Sequence, residues 1–546
     1  MSDNPIVKAV EDAKIVVFSP RAESGKDAKK KRKSSSRGKG GGGDPPAPPP
    51  PEEPGADDGD ELSNDMNTEF SLVLVGSKAI IMREQPAAPA HDRLRMLTCE
   101  AFNIFMQNRR SSVTSWQKDD NGEWKPVTRV RLHGPYWLKS PNRRTYNGLE
   151  FVPDPGAPPE TPGYFNLWRG FSVTPDPEPP TPRQRGPADR SAKYFKFYDH
   201  LRGAICGGAD VLFNWLWHWF AHLIQRPRER IGTAVVLRGG MGVGKTVVGD
   251  VIGSLFPANY FLVDNSRYLT GQFNAHMASC LLLQCDEATW GGNKESEGRL
   301  KGLITADKQM IEAKGVDPIM IANYVRVLLT SNEAWVVPTG MDERRWAILD
   351  VLDLVLEGER KAHYRALYDE LANGGRAALL ADLLEVDLDA ADAPNLRVIP
   401  KTKGLLEQKI HSLEPVPSWW LGRLADGSQT HRAQSWRDKI PIRTLHRDFL
   451  RTSEDLGVRR KSSETQFAMH MHKLCPSLIK VKSTEKVDET DDMGRETEVY
   501  KRVNCWKFPS LELARAEFDG ALRQPFDWGE DPEETDNGDR EGDCYD

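Results

Sequence analysis

Three short, unbroken apolar runs stand in the middle of the chain: Ala234-Val235-Val236-Leu237, Cys280-Leu281-Leu282-Leu283-Gln284-Cys285 and Val325-Arg326-Val327-Leu328-Leu329-Thr330. Runs of this length that do not alternate with polar residues suit strands covered on both faces, as in a parallel sheet. After the first run, Val247, Val248, Val251, Ile252, Leu255 and Phe256 recur at helical spacing, which predicts strand, turn and helix in that order. Nearer the start, Glu69–Ile81 reads as strand-rich and Arg93–Asn108 has helical spacing, together a small mixed module. Ala192–Gln225 and Lys361–Leu384 read as helical. Beyond Ile440, a helix over Gln466–Leu474 that begins after Ser463, then strands at Leu478–Lys482 and Val499–Trp506, fit a winged helix. Val211–Ile224 is the most apolar stretch, yet it is too short to span a bilayer and carries Asn214, His218 and His222. It predicts a buried helix, and no membrane association is expected.

Composition sharpens this picture at the ends. The 546 residues hold 74 Lys+Arg against 80 Asp+Glu, and 38% are apolar, enough for several folded domains. Ala22–Asn64, however, is a basic run (Lys29–Lys33) followed by Ser, Gly and Pro tracts and an acidic patch, and it cannot bury a core. Asp527–Asp546 holds ten acidic residues against Arg540 alone. Seven cysteines include no C-x-x-C pair, which argues against a zinc site or a disulfide framework and for a reducing, cytoplasmic setting. The expected divisions are an unstructured tail (1–65), the mixed module (66–150), a Pro-rich connector with helices (151–226), an α/β core (227–355), a helical region (356–412), a winged-helix-like domain (413–515) and an acidic tail (516–546).

Candidate chemistry sits where the apolar runs end. The first feeds into Gly239-Gly240-Met241-Gly242-Val243-Gly244-Lys245-Thr246, a complete P-loop pattern. Glycines Gly239, Gly240, Gly242 and Gly244 let successive backbone N–H groups curl around a polyphosphate, Lys245 reaches the β and γ oxygens of ATP, and Thr246 can ligand Mg2+. The second run ends in Asp286-Glu287, at the strand tip where open α/β sheets bind ligands. Asp286 would hold Mg2+ and Glu287 would orient and deprotonate the attacking water. Ser331-Asn332 closes the third run, placing Asn332 to sense the γ-phosphate. Asp342-Glu343-Arg344-Arg345 follows, and either arginine suits charge on a transferring phosphate. Arg459, Arg460, Lys461, Lys473, Lys480, Lys482, Lys501 and Arg502 give the winged-helix segment a basic face suited to phosphate contacts, although Glu464, Glu485 and Asp488 are interspersed.

The series GGMGVGKT, LLLQCDEA, LITADKQMIEAKG, VRVLLTSN and DERRWAIL resembles superfamily III helicases, and within them the helicase part of phage and plasmid primase–helicase proteins related to the poxvirus primase–helicase. The resemblance extends over about Met66–Trp528. It implies an AAA+-like P-loop NTPase core, ATP at subunit interfaces of a homo-hexameric ring, and Arg344 or Arg345 acting on the neighbour's site. It also implies a hairpin whose lysine, by position Lys314, grips single-stranded DNA in the central channel. Relatives commonly carry a primase module upstream, whereas about 65 low-complexity residues precede Met66 here, so a separate primase or replisome partner is expected.

These readings converge on an ATP-dependent DNA helicase that works on single-stranded or forked DNA during replication of a phage, prophage or mobile element. A nucleic-acid-gated ATPase that remodels or loads protein partners without unwinding shares every one of the motifs and remains open on sequence.

Overall fold

The computed structural model describes residues 58–88, 92–155, 161–176, 192–264, 274–286, 294–312, 317–433, 435–455, 462–490 and 496–529. Its architecture is mixed α/β, with several separate sheets and three apolar cores.

The N-terminal module opens with α1 (Asp58–Glu69), followed by β1 (Phe70–Val75), β2 (Lys78–Glu84), β3 (Leu94–Thr98), α2 (Cys99–Phe105), β4 (Arg110–Lys118), β5 (Trp124–Leu132), α3 (His133–Lys139) and β6 (Thr145–Tyr146). A four-stranded sheet in the order β3-β2-β1-β6 packs its buried Phe70 and Ile81 against Phe102 and Trp137. Two expectations change here. The helix begins at Asp58, inside the expected unstructured tail (1–65), because Met66 anchors it in this core. Arg93–Asn108 splits into a strand and a helix. Leu94–Thr98 pairs antiparallel with β2, and the helix starts only where Thr98 Oγ1 accepts the N–H of Ala101 at 3.1 Å.

Short strands β7 (Gly148–Glu150) and β8 (Tyr164–Asn166) lead to α4 (Phe195–Asp199), a π-helical turn (His200–Ile205) and α5 (Asp210–Gln225). One continuous helix is broken between α4 and α5 by Gly207 and Gly208, whose φ of 60° and 76° no L-residue adopts cheaply. Helix α5 buries Trp215, Trp217, Trp219 and Phe220 under the central sheet, which accounts for its apolar character. No described helix is long and apolar enough to cross a membrane.

The central sheet contains β9 (Ala234–Arg238), β10 (Tyr260–Val263), β11 (Leu282–Asp286), β14 (Arg326–Ser331) and β15 (Trp346–Asp350), all parallel, in the order β10-β11-β14-β9-β15. Strands β9, β11, β14 and β15 are buried nearly throughout, as their unalternated apolar sequences require, whereas the edge strand β10 buries only Val263. Helix α6 (Lys245–Gly253) follows β9. Between β11 and β14 the chain makes α7 (Lys294–Thr305) and an antiparallel hairpin of β12 (Lys308–Ile311) and β13 (Ile319–Ala322).

Helices α8 (Arg360–Glu370), α9 (Arg376–Leu384) and α10 (Lys403–His411) follow β15. The C-terminal domain contains α11 (Pro415–Ala425), β16 (Lys439–Pro441), α12 (Ile442–Asp455), α13 (Glu464–Leu474), β17 (Ile479–Thr490), β18 (Glu496–Lys507) and α14 (Leu511–Leu522), with the sheet order β16-β18-β17. Helix α13 starts after Ser463 in a capping box with Gln466. Its core is aromatic, built on Trp419, Trp420, Phe449, Phe467 and Trp506. Lys473, Lys480, Lys482, Lys501 and Arg502 are exposed on this domain, while Arg459, Arg460 and Lys461 lie outside the described residues.

Candidate nucleotide site

Parallel pairing brings the C-terminal tips of four strands to one edge: Leu329 lies beside Val236, Asp286 beside Thr330, and Asp350 beside Arg238. The glycine-rich loop leaves β9 at this edge and enters α6. Gly242 and Gly244 have φ of 77° and 88°, and Gly244 caps the helix. A Cβ at Gly244 would lie 2.4 Å from Tyr364 Oη and 2.6 Å from His200 Cε1, so both backbone and neighbours demand glycine there. The loop therefore ends at a helix N-terminus, whose unpaired backbone N–H groups suit anions.

Lys245 is 7% exposed and curls back over its own loop. Its ammonium donates to the carbonyls of Gly239 (2.8 Å) and Gly240 (2.6 Å) and to Asn332 Oδ1 (2.6 Å) at the tip of β14. Because β14 is inserted between β9 and β11, Asn332 reaches a lysine 87 positions earlier in sequence. On the other side of β14, Thr246 Oγ1 stands 3.2 Å from Asp286 Oδ2, and the buried Thr330 hydroxyl donates to Asp286 Oδ1. Two hydroxyls thus fix the Asp286 carboxylate facing the start of α6.

A buried polar network holds α6 against the sheet. Gln284, fully buried in β11, donates to the Thr246 carbonyl at 3.2 Å. The Tyr260 hydroxyl lies 2.7 Å from Gln284 Oε1 and 2.8 Å from Asp250 Oδ1, and burial beside that carboxylate pushes the phenol pKa up. Gly249 makes room: a Cβ there would sit 1.6 Å from Gln284 Oε1.

Two residues near the loop carried no sequence signal. His200, 5% exposed in the π-helical turn, has Nε2 3.1 Å from the Gly244 carbonyl, to which it donates, and burial pushes its pKa down, keeping it neutral. Arg360, at the start of α8, donates to the Met241 carbonyl (3.2 Å) and to Asp353 (2.6 Å), placing a guanidinium at the crown of the loop. Neither lies in a motif; each is brought in from an element whose local sequence is ordinary.

Arg344 and Arg345 are not part of this cluster. They precede β15, at the end of the sheet opposite the loop, and Ala234 donates to the Arg345 carbonyl at 2.7 Å. Five residues of strand at ~3.3 Å each separate them from the loop of their own chain by roughly 16 Å. Glu343, buried, accepts the backbone N–H groups of Arg344 and Arg345 at 2.9 and 2.7 Å and shapes the turn. Arg344 is exposed, whereas Arg345 is half-buried with Nη1 3.6 Å from Glu343. Glu287 and Lys314 lie outside the described residues.

Among the described residues no three His, Cys, Asp or Glu side chains gather in a metal cage. The Thr246–Asp286 pair suits Mg2+ instead, since that ion keeps several waters and shares a single carboxylate with phosphate oxygens.

Residues 237–345, which hold the loop, Asp286, Asn332 and both arginines, match the model of a family of unknown function (DUF5906). The chain is homologous to the DNA primase-polymerase of Nitratiruptor phage NrS-1, with 26% identity over 145 residues, which is 26% of this chain and 20% of that protein. The aligned stretch thus spans about a fifth of that relative. The fold matches the apo structure of the NrS-1 C-terminal region at a TM-score of 0.51 and 16% identity, covering 81% of this chain and 98% of the other. A second apo structure of that region, the A form, matches at 0.52 over 81% and 99%.

Proposed function

We propose that the chain is an ATP-hydrolysing motor of the superfamily III helicase type that works on DNA in the replication of a phage or related mobile element. One observation carries this reading. Lys245, Thr246, Asp286 and Asn332, drawn from three strand tips, converge on one side of a loop shaped for phosphates. The tie to a phage primase-polymerase supports the replication setting.

Each residue has a task that follows from its place. The N–H groups of Gly242 to Thr246 surround the β-phosphate, and Lys245 exchanges its loop carbonyls for β and γ oxygens. Asn332, with Oδ1 on Lys245, turns its two amide N–H donors toward the γ-phosphate or the attacking water. Glu287, next in sequence after Asp286, takes the proton from that water. Thr246 and Asp286 would hold Mg2+, which would supply charge neutralisation to the phosphates. Arg360 adds a guanidinium from the same chain, and Arg344 or Arg345, at the far end of the sheet, would serve a neighbouring subunit of a ring.

Phosphate release measured with and without single-stranded DNA, alongside displacement of one strand of a forked duplex, tests the proposal. Absence of DNA-stimulated hydrolysis would refute it. Stimulated hydrolysis without displacement would favour a loader or remodeller.

A further inference from the structure

The β4–β5 ribbon plays no part in the nucleotide site, and neither of its faces is packed away. It is a two-stranded sheet of nine residues per strand, roughly 30 Å long. Such hairpins are marginal in water unless something covers them. The ribbon nonetheless displays Trp116 (41% exposed), Trp124 (44%) and Val130 (62%).

Cross-strand register puts Trp116 opposite Pro126 and Lys118 opposite Trp124, so both rings stand on one face as diagonal neighbours. Diagonal pairs are roughly 7–8 Å apart, about two base-stacking steps of ~3.4 Å. Lys118 Nζ lies 5.2 Å from the Trp124 ring centre. On the strands themselves Arg110, Lys118, Lys125, Arg129 and Arg131 are the charged residues, with no carboxylate among them. The three acids are confined to the turn. Asp119 is consumed there, accepting the N–H groups of Asn121 and Glu123 at 3.0 Å each and pairing with Lys125 at 2.7 Å.

Of these cations Arg110 and Lys118 share the face of the two rings, and exposed aromatic rings with cations on a carboxylate-free face suit a polyanion with stackable faces. A protein partner would have to bury these cations against its own acids and gains nothing from the ring spacing. We propose that the β4–β5 ribbon is a single-stranded nucleic-acid platform, on which bases stack against Trp116 and Trp124 while Lys118 and Arg110, on the same face, follow the phosphates. The inference goes beyond the proposed motor and stands independently of ATP turnover.

The test is fluorescence anisotropy of labelled dT20 and of a matching duplex, on the full chain without nucleotide, at several salt concentrations. Trp116→Ala/Trp124→Ala should bind dT20 about 100-fold more weakly, at about tenfold for each ring, while Trp116→Phe/Trp124→Phe stays within about threefold of wild type. Lys118→Gln/Arg110→Gln, which leaves the rings in place should the alanine variant misfold, should reduce the slope of log affinity against log salt by about 1.4, at ~0.7 for each phosphate contact on a single strand. Thermal unfolding and DNA-free phosphate release should match wild type in all three variants. Unchanged dT20 binding by a folded double-alanine variant overturns the platform. So does a variant that keeps dT20 binding but loses self-association in sedimentation, which would mark the ribbon as a contact between copies, and so does wild-type binding of duplex that exceeds that of dT20. Wild-type protein that binds dT20 through the ribbon but releases no phosphate refutes the motor and retains the platform.

Discussion

Asn332→Ala is the sharpest perturbation of the proposed site, because it removes the side chain that links the loop to the sheet without altering the loop. Lys245 would keep its bonds to Gly239 O at 2.8 Å and Gly240 O at 2.6 Å, so the loop stays shaped and the ammonium stays seated. A charge-assisted hydrogen bond contributes about 1.5–3 kcal/mol net, and with those partners remaining the loss of stability should fall at or below the lower end. Catalysis should suffer more. Losing a preorganised donor that acts on the developing charge typically costs about 10²–10³ in kcat, or about 2.7–4 kcal/mol. ATP affinity should change less than about fivefold, since the backbone cradle is intact. Single-turnover release of γ-phosphate and equilibrium binding of a fluorescent ATP analogue measure the two quantities separately. Because Asn332 and Lys245 touch, Lys245→Ala/Asn332→Ala should be hardly slower than Lys245→Ala alone. Wild-type kcat in Asn332→Ala, or single effects that multiply in the double variant, would refute the assignment.

Glu287→Gln should bind ATP normally and turn it over at least about 100-fold more slowly, and unchanged hydrolysis in a steady-state assay would exclude Glu287 as the base. Mixing Lys245→Ala with Arg344→Ala/Arg345→Ala should restore part of the lost phosphate release, since the ~16 Å separation along the sheet leaves these arginines to act between subunits; no recovery in a mixture that co-assembles would contradict trans action. Lys314→Ala should leave DNA-free hydrolysis near wild type and eliminate strand displacement, measured on one preparation. His222, buried beside Arg326 (Nδ1 3.4 Å from its guanidinium), has its pKa pushed from 6.5 to about 3 by burial first and by Arg326, Arg226 and Arg397 next. The unfolded chain therefore binds a proton below about pH 6.5 that the folded one refuses until about pH 3, so stability rises with pH across that window and falls on acidification. At ~1.4 kcal/mol per unit the limit is on the order of 5 kcal/mol, and His222→Gln should flatten that slope in urea titrations at successive pH values.

The parallel sheet was legible because burial on both faces writes itself into unalternated runs, and each run ended in the polar residue that now stands at a strand tip. Strand order was not legible. Nothing in the local sequence says that Arg326–Ser331 inserts between the other two runs, yet that insertion is what brings Asn332 to Lys245. His200 and Arg360 escaped for the same reason: their roles depend on a π-helical turn and a helix start packing against the loop from outside any motif. Arg93–Asn108 misled because helical spacing persisted across a segment whose first half gains more from pairing with β2 than from continuing α2.

The same insertion gives the proposed motor its lever. Between Asp286 and Asn332 the chain leaves the sheet, makes α7 and the β12–β13 hairpin, and returns directly into β14, so the hairpin hangs between the acid strand and the sensor strand. Its base is stiff. Fully buried Asn323 donates to the carbonyls of Leu303 and Ala306 at 2.9 and 2.8 Å, tying the hairpin to α7, and Asn274 donates to Met310 O while accepting the N–H of Glu312, each at 2.8 Å. Ile311 and Ile321 reach the main core, while Met310 and Met320 remain exposed. Where β13 begins, Asp317 accepts the Ser77 hydroxyl from the β1–β2 turn, and those hydrogen bonds hold its carboxyl below the usual range. The base is thus pinned on the core side, and the shoulder at Asp317 rests on the N-terminal module. In the proposed motor this pinned base would pass a shift at Asp286 or Asn332 on to the hairpin, which is the coupling a helicase needs and a simple phosphatase does not.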